Sequence, residues 1–238
     1  MIPLSHGKSS EMNLNAKLTI LEQMVDIYDR FIGEFDLACE KYCAHCCTAN
    51  VTMTTLEGYR IITHLEKAGD MHCLETIARQ SHPDRFKPRV SINRMADICA
   101  RDGDPPEEQM DPSAGPCPVL ADDACSLYGV RPFGCRCMVS ARNCGQTGFA
   151  DMDPFILTVN DVFLQHLEHI DAQGFSGNFS DVMQFLDSEK NRQAYTAGQL
   201  GPPPAGLVAN QPVFVLMIPP EHRDRIQPWL KQIRSIQV

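Results

Sequence analysis

The sequence predicts a mainly α fold with a small irregular β element, an α+β arrangement organised around a cysteine-rich metal site. Three observations predict it. Apolar residues recur at helical spacing from residue 14 onward, and further amphipathic stretches of the same period follow downstream. Nine of the eleven cysteines fall in two short segments, 39–47 and 117–144, on either side of a long helical stretch.

Leu14, Leu18, Leu21, Val25, Tyr28, Ile32 and Phe35 alternate at steps of four and three, which draws one apolar stripe along a helix. Continued, the stripe reaches Cys39, Tyr42 and Cys46. The spacing therefore predicts a helix over 14–42 on which Cys39 and Cys43 stand one above the other. The same stripe fits a short dimerising coiled coil, but three heptads are also what a core helix shows, and core packing is the reading preferred here. Val51 and Met53 alternate as a short strand does. Thr54 followed by Glu57 is a capping box that opens a helix to about Ala68, and this role outweighs a catalytic one for Glu57. Further helices are expected over 71–80 and 88–100. The Pro-, Gly- and acid-rich stretch 103–116 reads as a loop. Val119-Leu120 and Ser126-Leu127-Tyr128 flank Ala-Asp-Asp-Ala, which predicts a hairpin between Cys117 and Cys125.

Asp153-Pro154 opens a helix with Ile156, Val159, Phe163, Leu167 and Ile170 on one side. A second helix is expected over 180–196, a linker over 198–212, and a strand in VFVLMI, 213–218. Ile226, Trp229, Leu230 and Ile233 mark a terminal helix with Pro228 near its start. This organisation suggests a cysteine-cluster metal-chelating domain over 11–146 and a helical extension over 147–238 packed on it.

Composition narrows the function. A hydrophobic share of 43% in 238 residues suffices for a globular core. The opening MIPLSHGKSS lacks the apolar stretch of a signal peptide, and no apolar run approaches membrane-spanning length. A cytoplasmic location with no membrane partner is expected. The formal charge of −9, with no Lys/Arg run, argues against nucleic acid as a partner. In a reducing compartment, clustered cysteines more often hold a metal or carry redox chemistry than form disulfides, and an odd count cannot pair completely.

Zinc takes four tetrahedral ligands, and iron–sulfur clusters likewise take four cysteines. One segment supplies Cys39, Cys43, Cys46 and Cys47; the other supplies Cys117, Cys125, Cys135, Cys137 and Cys144. Two such groups across a long insertion fit a metal-centred core. Cys39, Cys43, Cys46, Cys117, Cys125 and Cys135 are the leading ligand candidates, followed by Cys47, with Cys137 and Cys144 last. Adjacent side chains such as those of Cys46 and Cys47 point apart, so Cys47 serves the same site, a second one, or only packing.

The ordered pieces Cys-x3-Cys-x2-Cys-Cys, Val-x-Met-Thr-x-x-Glu, Cys-Pro-x-Leu, Cys-Ser-Leu-Tyr and Arg-Pro-x-x-Cys-Arg resemble the YkgJ-type cysteine-cluster family. Here they fall on Cys39, Cys43, Cys46, Cys47, Glu57, Cys117, Cys125, Tyr128, Arg131, Pro132, Cys135 and Arg136, within about 36–142. The family is regarded as zinc- or iron-chelating, and a similar module occurs in flagellin lysine methylases. The resemblance implies metal binding and names no reaction. It leaves zinc and iron open. Zinc is the commoner structural metal, but its usual paired Cys-x-x-Cys knuckles are missing from the second segment. Cys-x3-Cys-x2-Cys can wrap a 4Fe–4S cubane, and a surplus of cysteines suits a cluster better. The same triplet occurs in radical S-adenosylmethionine enzymes, but the alternating βα series of their barrel is not found here.

Among flanking residues, Arg131 and Arg136, with Arg142, are expected to offset the charge of a thiolate-bound centre through charge-assisted hydrogen bonds. His45 reads as an exposed or outer-sphere group, and His166 and His169 as surface or edge residues of a helix. Cys73 and Cys99 are expected to be buried. The function expected is that of a metal-binding protein holding an iron–sulfur cluster or Zn2+. The alternatives are a metal-cluster-dependent, methyltransferase-like enzyme and a metal-free thiol redox sensor.

Overall fold

The computed structural model describes residues 12–111 and 114–237; the opening MIPLSHGKSS and two residues of the 103–116 loop lie outside them. The fold is mainly helical with a small antiparallel sheet. Asn13 caps the first helix, α1 (Leu14–Ile32), by accepting the Ala16 N–H. Its buried face carries Leu21, Met24, Val25, Tyr28 and Phe31, so the stripe read from the sequence lies along one margin of the true face. The helix ends at Ile32 rather than near residue 42. Gly33 closes it, turns at Glu34 and Phe35 follow, and Cys39 and Cys43 sit on irregular chain instead of stacking on a helix.

A short strand, β1 (Thr52–Thr54), leads directly into α2 (Thr55–Ala68). Thr54 and Glu57 form the reciprocal capping box, and left-handed Gly69 ends the helix. Next come α3 (Cys73–Gln80) and α4 (Ile92–Ala100), the latter shorter than expected because 81–91 is irregular. β2 (Leu120–Ala121) and β3 (Ala124–Cys125) make the expected hairpin. Its turn residues Asp122 and Asp123 both have positive φ, 50° and 58°, as a two-residue hairpin turn requires. Two short helices follow, α5 (Phe133–Arg136) and α6 (Cys144–Thr147), then α7 (Pro154–Ile170), which is capped by Asp153 with Pro154 at its first position.

β4 (Phe175–Asn178) forms the middle of a three-stranded antiparallel sheet, flanked by β1 and by β5 (Leu207–Ala209). Neither β4 nor β5 was expected; β5 lies inside the stretch read as a linker. The single helix expected over 180–196 is two, α8 (Phe179–Asp187) and α9 (Glu189–Thr196), broken where Ser188 takes an extended backbone. VFVLMI is not a strand, because no sheet edge pairs with it, and its backbone is irregular. The chain ends in α10 (Gln227–Arg234), with Pro228 in its first turn. No helix among the described residues is long and apolar enough to cross a membrane.

Two cores result. In one, α1 packs on α7 and α10, and Phe133 joins it from α5: the Tyr28 and Phe133 rings meet edge to face at 4.7 Å, and Phe133 stacks on Phe163. The other gathers α2, α3, α8, the hairpin residues Val119 and Leu127, and the sheet. Both take residues from either side of residue 146.

A buried carboxylate locks the second core to the end of α7. Asp171 accepts the Thr55 hydroxyl (2.6 Å), the Leu56 N–H (3.0 Å) and the Tyr195 hydroxyl (2.6 Å), and Asn210 donates to its main-chain oxygen (2.9 Å). Burial outweighs these bonds and pushes its pKa up to about 6. The unfolded carboxyl titrates near 3.9. The folded chain therefore binds the extra proton between these values, so the contribution to stability is full below about pH 4 and is lost as pH rises through 6. Asp161, raised to about 6 by burial, works in the same direction. In urea unfolding measured across pH 4 to 7, Asp171 should account for a fall of up to about 3 kcal/mol. The Asp171→Asn variant, less stable overall, should show a shallower slope over that range.

Candidate functional site

The site is built by tying the loop after α1 to two distant segments. At its near end the Ala38 N–H donates to Ser140 O (2.9 Å), and the Ser140 N–H donates to the Cys39 sulfur (3.2 Å). Turns follow, with Cys43 N–H on Glu40 O, Cys47 N–H on Ala44 O, and Tyr42 at a φ of 76°. At the far end the Cys117 N–H donates to Cys47 O (2.9 Å), Ala49 N–H to Gly115 O (3.0 Å), and Thr48 bridges Pro116.

The hairpin then presents Cys117 and Cys125. Leu120 N–H bonds back to Cys117 O, and Leu120 lies directly opposite Cys125. Arg131-Pro132 leads into α5, which carries Cys135. Two contacts hold α5 in place. The Phe133 N–H donates to Glu57 Oε1 (2.7 Å), while Glu57 Oε2 serves the capping box. Gly134 lies so close to β1 that an added Cβ would meet Thr52 O at 2.7 Å. The Asn160 amide donates to Cys137 O and its carbonyl accepts the Tyr28 hydroxyl, which anchors the chain beyond α5 on the aromatic core.

The result is a cavity of about 200 Å³ lined by Cys39, Cys43, Cys46, Cys47, Cys117, Cys125 and Cys135. Its remaining wall is largely apolar, including Ile32, Leu37, Val51, Val119, Leu127 and Phe179. The cysteines are unpaired. As placed, no three Cys, His, Asp or Glu side chains among the described residues stand together so as to hold a metal ion.

Burial is the first cause acting on most of these thiols and holds them protonated: Cys135 lies well above the usual range, Cys117 is pushed up to about 11, and Cys125 and Cys39 are raised. Neighbouring sulfurs add to it. Arg131 opposes it at Cys125. The hydrogen bond between Cys46 and Cys47 splits that pair, raising Cys46 and lowering Cys47.

Arg131 and Arg136 both border the cavity, each already engaged. Arg131 stacks on the Tyr128 ring at 3.9 Å and donates to Tyr128 O (2.8 Å). Arg136 pairs through Nη1 with both Asp29 oxygens (2.8 and 2.9 Å). Its Nε is buried and has no hydrogen-bond partner among the described residues. Arg142 instead pairs with Asp151 at 3.1 Å and does not line the cavity.

The other candidates fall outside the cavity lining. Cys137 is buried in the first core, Cys144 is half-buried on α6, and His45 is exposed against Gly145. Cys73 is buried as expected. Cys99 is exposed, contrary to expectation, because α4 turns Asn93, Ala96 and Asp97 inward and leaves Cys99 on the solvent face. His166 is buried rather than at the surface, its Nδ1 2.7 Å from Val162 O, and His169 accepts the Val213 N–H. Sequence reasoning missed the two anchors at Ser140 and Asn160, whose long-range pairings leave no local signature.

The chain matches no family model, no curated protein and no solved structure in these comparisons.

Replacing Glu57 with Ala strips the acceptor from the buried Phe133 N–H and dismantles the capping box. The expected loss in urea unfolding is about 3 kcal/mol. Glu57→Gln, which keeps one oxygen acceptor, should cost less.

Proposed function

We propose that this chain is a metal-binding protein whose thiol-lined cavity holds an iron–sulfur cluster or zinc. One observation carries the reading: seven cysteines from two segments far apart in sequence border a single cavity. Isolated buried thiols need no such company, and sulfurs brought together repel once ionised unless a cation lies among them. Arg136, which borders the cavity and carries a buried Nε without a hydrogen-bond partner among the described residues, adds support, since a cation beside clustered sulfurs suits an anionic thiolate-bound centre. The resemblance of the ordered cysteine pieces to those of the YkgJ-type family, which no family model matches in this chain, points to the same chemistry.

Cys39, Cys43, Cys46, Cys47, Cys117, Cys125 and Cys135 are the residues that would supply ligands. Bound there, a centre would cross-link the loop after α1 to the hairpin and α5, and an iron–sulfur cluster would add one-electron chemistry. A role in a reducing, cytoplasmic setting with neither nucleic acid nor membrane as partner fits the cysteine usage and the charge of −9.

Elemental analysis and an absorption spectrum of anaerobically purified protein test the proposal. Iron with inorganic sulfide and a broad visible band identifies a cluster; stoichiometric zinc in colourless protein identifies zinc. Cys43→Ser should lower bound metal and melting temperature together. A fully folded, metal-free protein with titratable thiols would instead favour the redox-sensor alternative and overturn the metal reading.

A further inference from the structure

We propose that a second cavity, at the start of α1, binds a small organic oxyanion, a carboxylate or phosphate ester with an apolar body, with Lys17 as its counter-ion. This goes beyond the metal reading and does not depend on it, since no described residue that borders this cavity also borders the thiol-lined one.

The cavity lies between the first turn of α1, Tyr59 of α2 and the end of α9. Its volume of about 370 Å³ falls at the small end of the range that ligand pockets occupy. Lys17 gives it a positive charge. The residue sits one turn before Leu21, on the face that also buries Met24, Val25 and Tyr28, where α1 otherwise places apolar side chains. It is only 6% exposed, yet it borders the cavity. Its ammonium makes no hydrogen bond and no ion pair among the described residues. An ammonium held away from water costs stability unless an opposite charge meets it. Asp171 is near enough to feel Lys17 but is not that partner, because its oxygens are taken by Thr55, Leu56 and Tyr195.

The backbone adds to the same field. α1 runs for 19 residues and has no acidic side chain in its first turn. Asn13 accepts the N–H groups of Ala16 and Lys17. Those of Leu14 and Asn15, two residues that border the cavity, have no partner among the described residues. The positive end of the helix dipole thus faces the same space as the ammonium.

The opposite side is aromatic. The Tyr59 and Tyr195 rings tilt against each other with centroids 5.9 Å apart, and both border the cavity. The Tyr195 hydroxyl is spent on Asp171, so this residue offers its ring alone. The Tyr59 hydroxyl has no hydrogen-bond partner among the described residues and is free to donate. An inorganic anion would use the ammonium and the helix end and leave the rings bare. A ligand with an apolar body covers both.

The test is binding of benzoate, phenyl phosphate and inorganic phosphate to the full-length protein, followed by saturation-transfer NMR and by the shift in melting temperature. Saturable binding of benzoate or phenyl phosphate is expected, and the tighter of the two tells a carboxylate head from a phosphate. Benzyl alcohol, which has the ring without the charge, and inorganic phosphate, which has the charge without the ring, should each bind about tenfold more weakly. Lys17→Met keeps the apolar stem and should lose about tenfold in affinity for the organic anions, with an intact fold by circular dichroism. Lys17→Gln replaces it if that variant does not fold, and the uncharged comparator keeps the test independent of both. No saturable binding of either organic anion to folded wild type overturns the proposal. So does unchanged affinity in a folded Lys17 variant, or a comparator that binds as tightly as the organic anions.

Discussion

The carboxylate of Glu57 is the point on which the thiol-lined cavity hangs. It is buried at the junction of β1 and α2, where one oxygen closes the capping box and the other takes the Phe133 N–H. A carboxylate in such a place is costly to desolvate, and burial raises its pKa accordingly, with the hydrogen bonds from Thr54 and Phe133 opposing that rise. In return, a helix start that was only a local motif becomes a long-range clamp. Through Phe133 it fixes α5, and with it Cys135 and the direction of the chain on both sides. The sheet reinforces the clamp from below, since Gly134 lets α5 settle directly on the β1 backbone. The same α5 reaches the first core through the Phe133 ring and borders the cavity through Cys135, so core and cavity share one short helix.

The cavity combines largely apolar walls with clustered sulfur. Apolar side chains line much of it, and the thiols they surround are held protonated. Neutral thiols in an apolar setting behave as small hydrophobes and pack without penalty. Ionised together, they would repel strongly in the same low-dielectric space. A cavity of this kind tolerates the neutral state and accepts the charged state only with compensation. Arg131 opposes the effect of burial at Cys125 while its own bonds are made to Tyr128.

Features of the fold set by local chemistry were legible in the sequence. The Thr54–Glu57 box, the Asp-Asp hairpin turn and the Asp153-Pro154 helix start each depend on neighbouring residues, and each is found where their chemistry requires. The misreadings came from pairings between distant residues. The apolar stripe of α1 continues past Gly33 by period alone, but the chain there is captured by Ser140, which no periodicity reveals. VFVLMI has the composition of a strand and no edge to join, whereas Phe175–Asn178 is short and glycine-containing yet becomes the central strand because it has partners on both sides. At the site, the sulfur positions were visible as clustering. Their anchoring by Ser140, Asn160 and Glu57 was not, since a hydrogen bond across a hundred residues leaves nothing in the spacing.

The solvent-facing position of Cys99 has a practical corollary. It lies on the outer face of α4, away from the cavity lining, and needs no opening of the protein to be reached. A thiol-directed dye or maleimide added to the native chain therefore encounters this sulfur on its own terms. Signals from such labelling would mix an incidental surface reactivity with whatever the enclosed sulfurs do. A background in which residue 99 is serine separates the two.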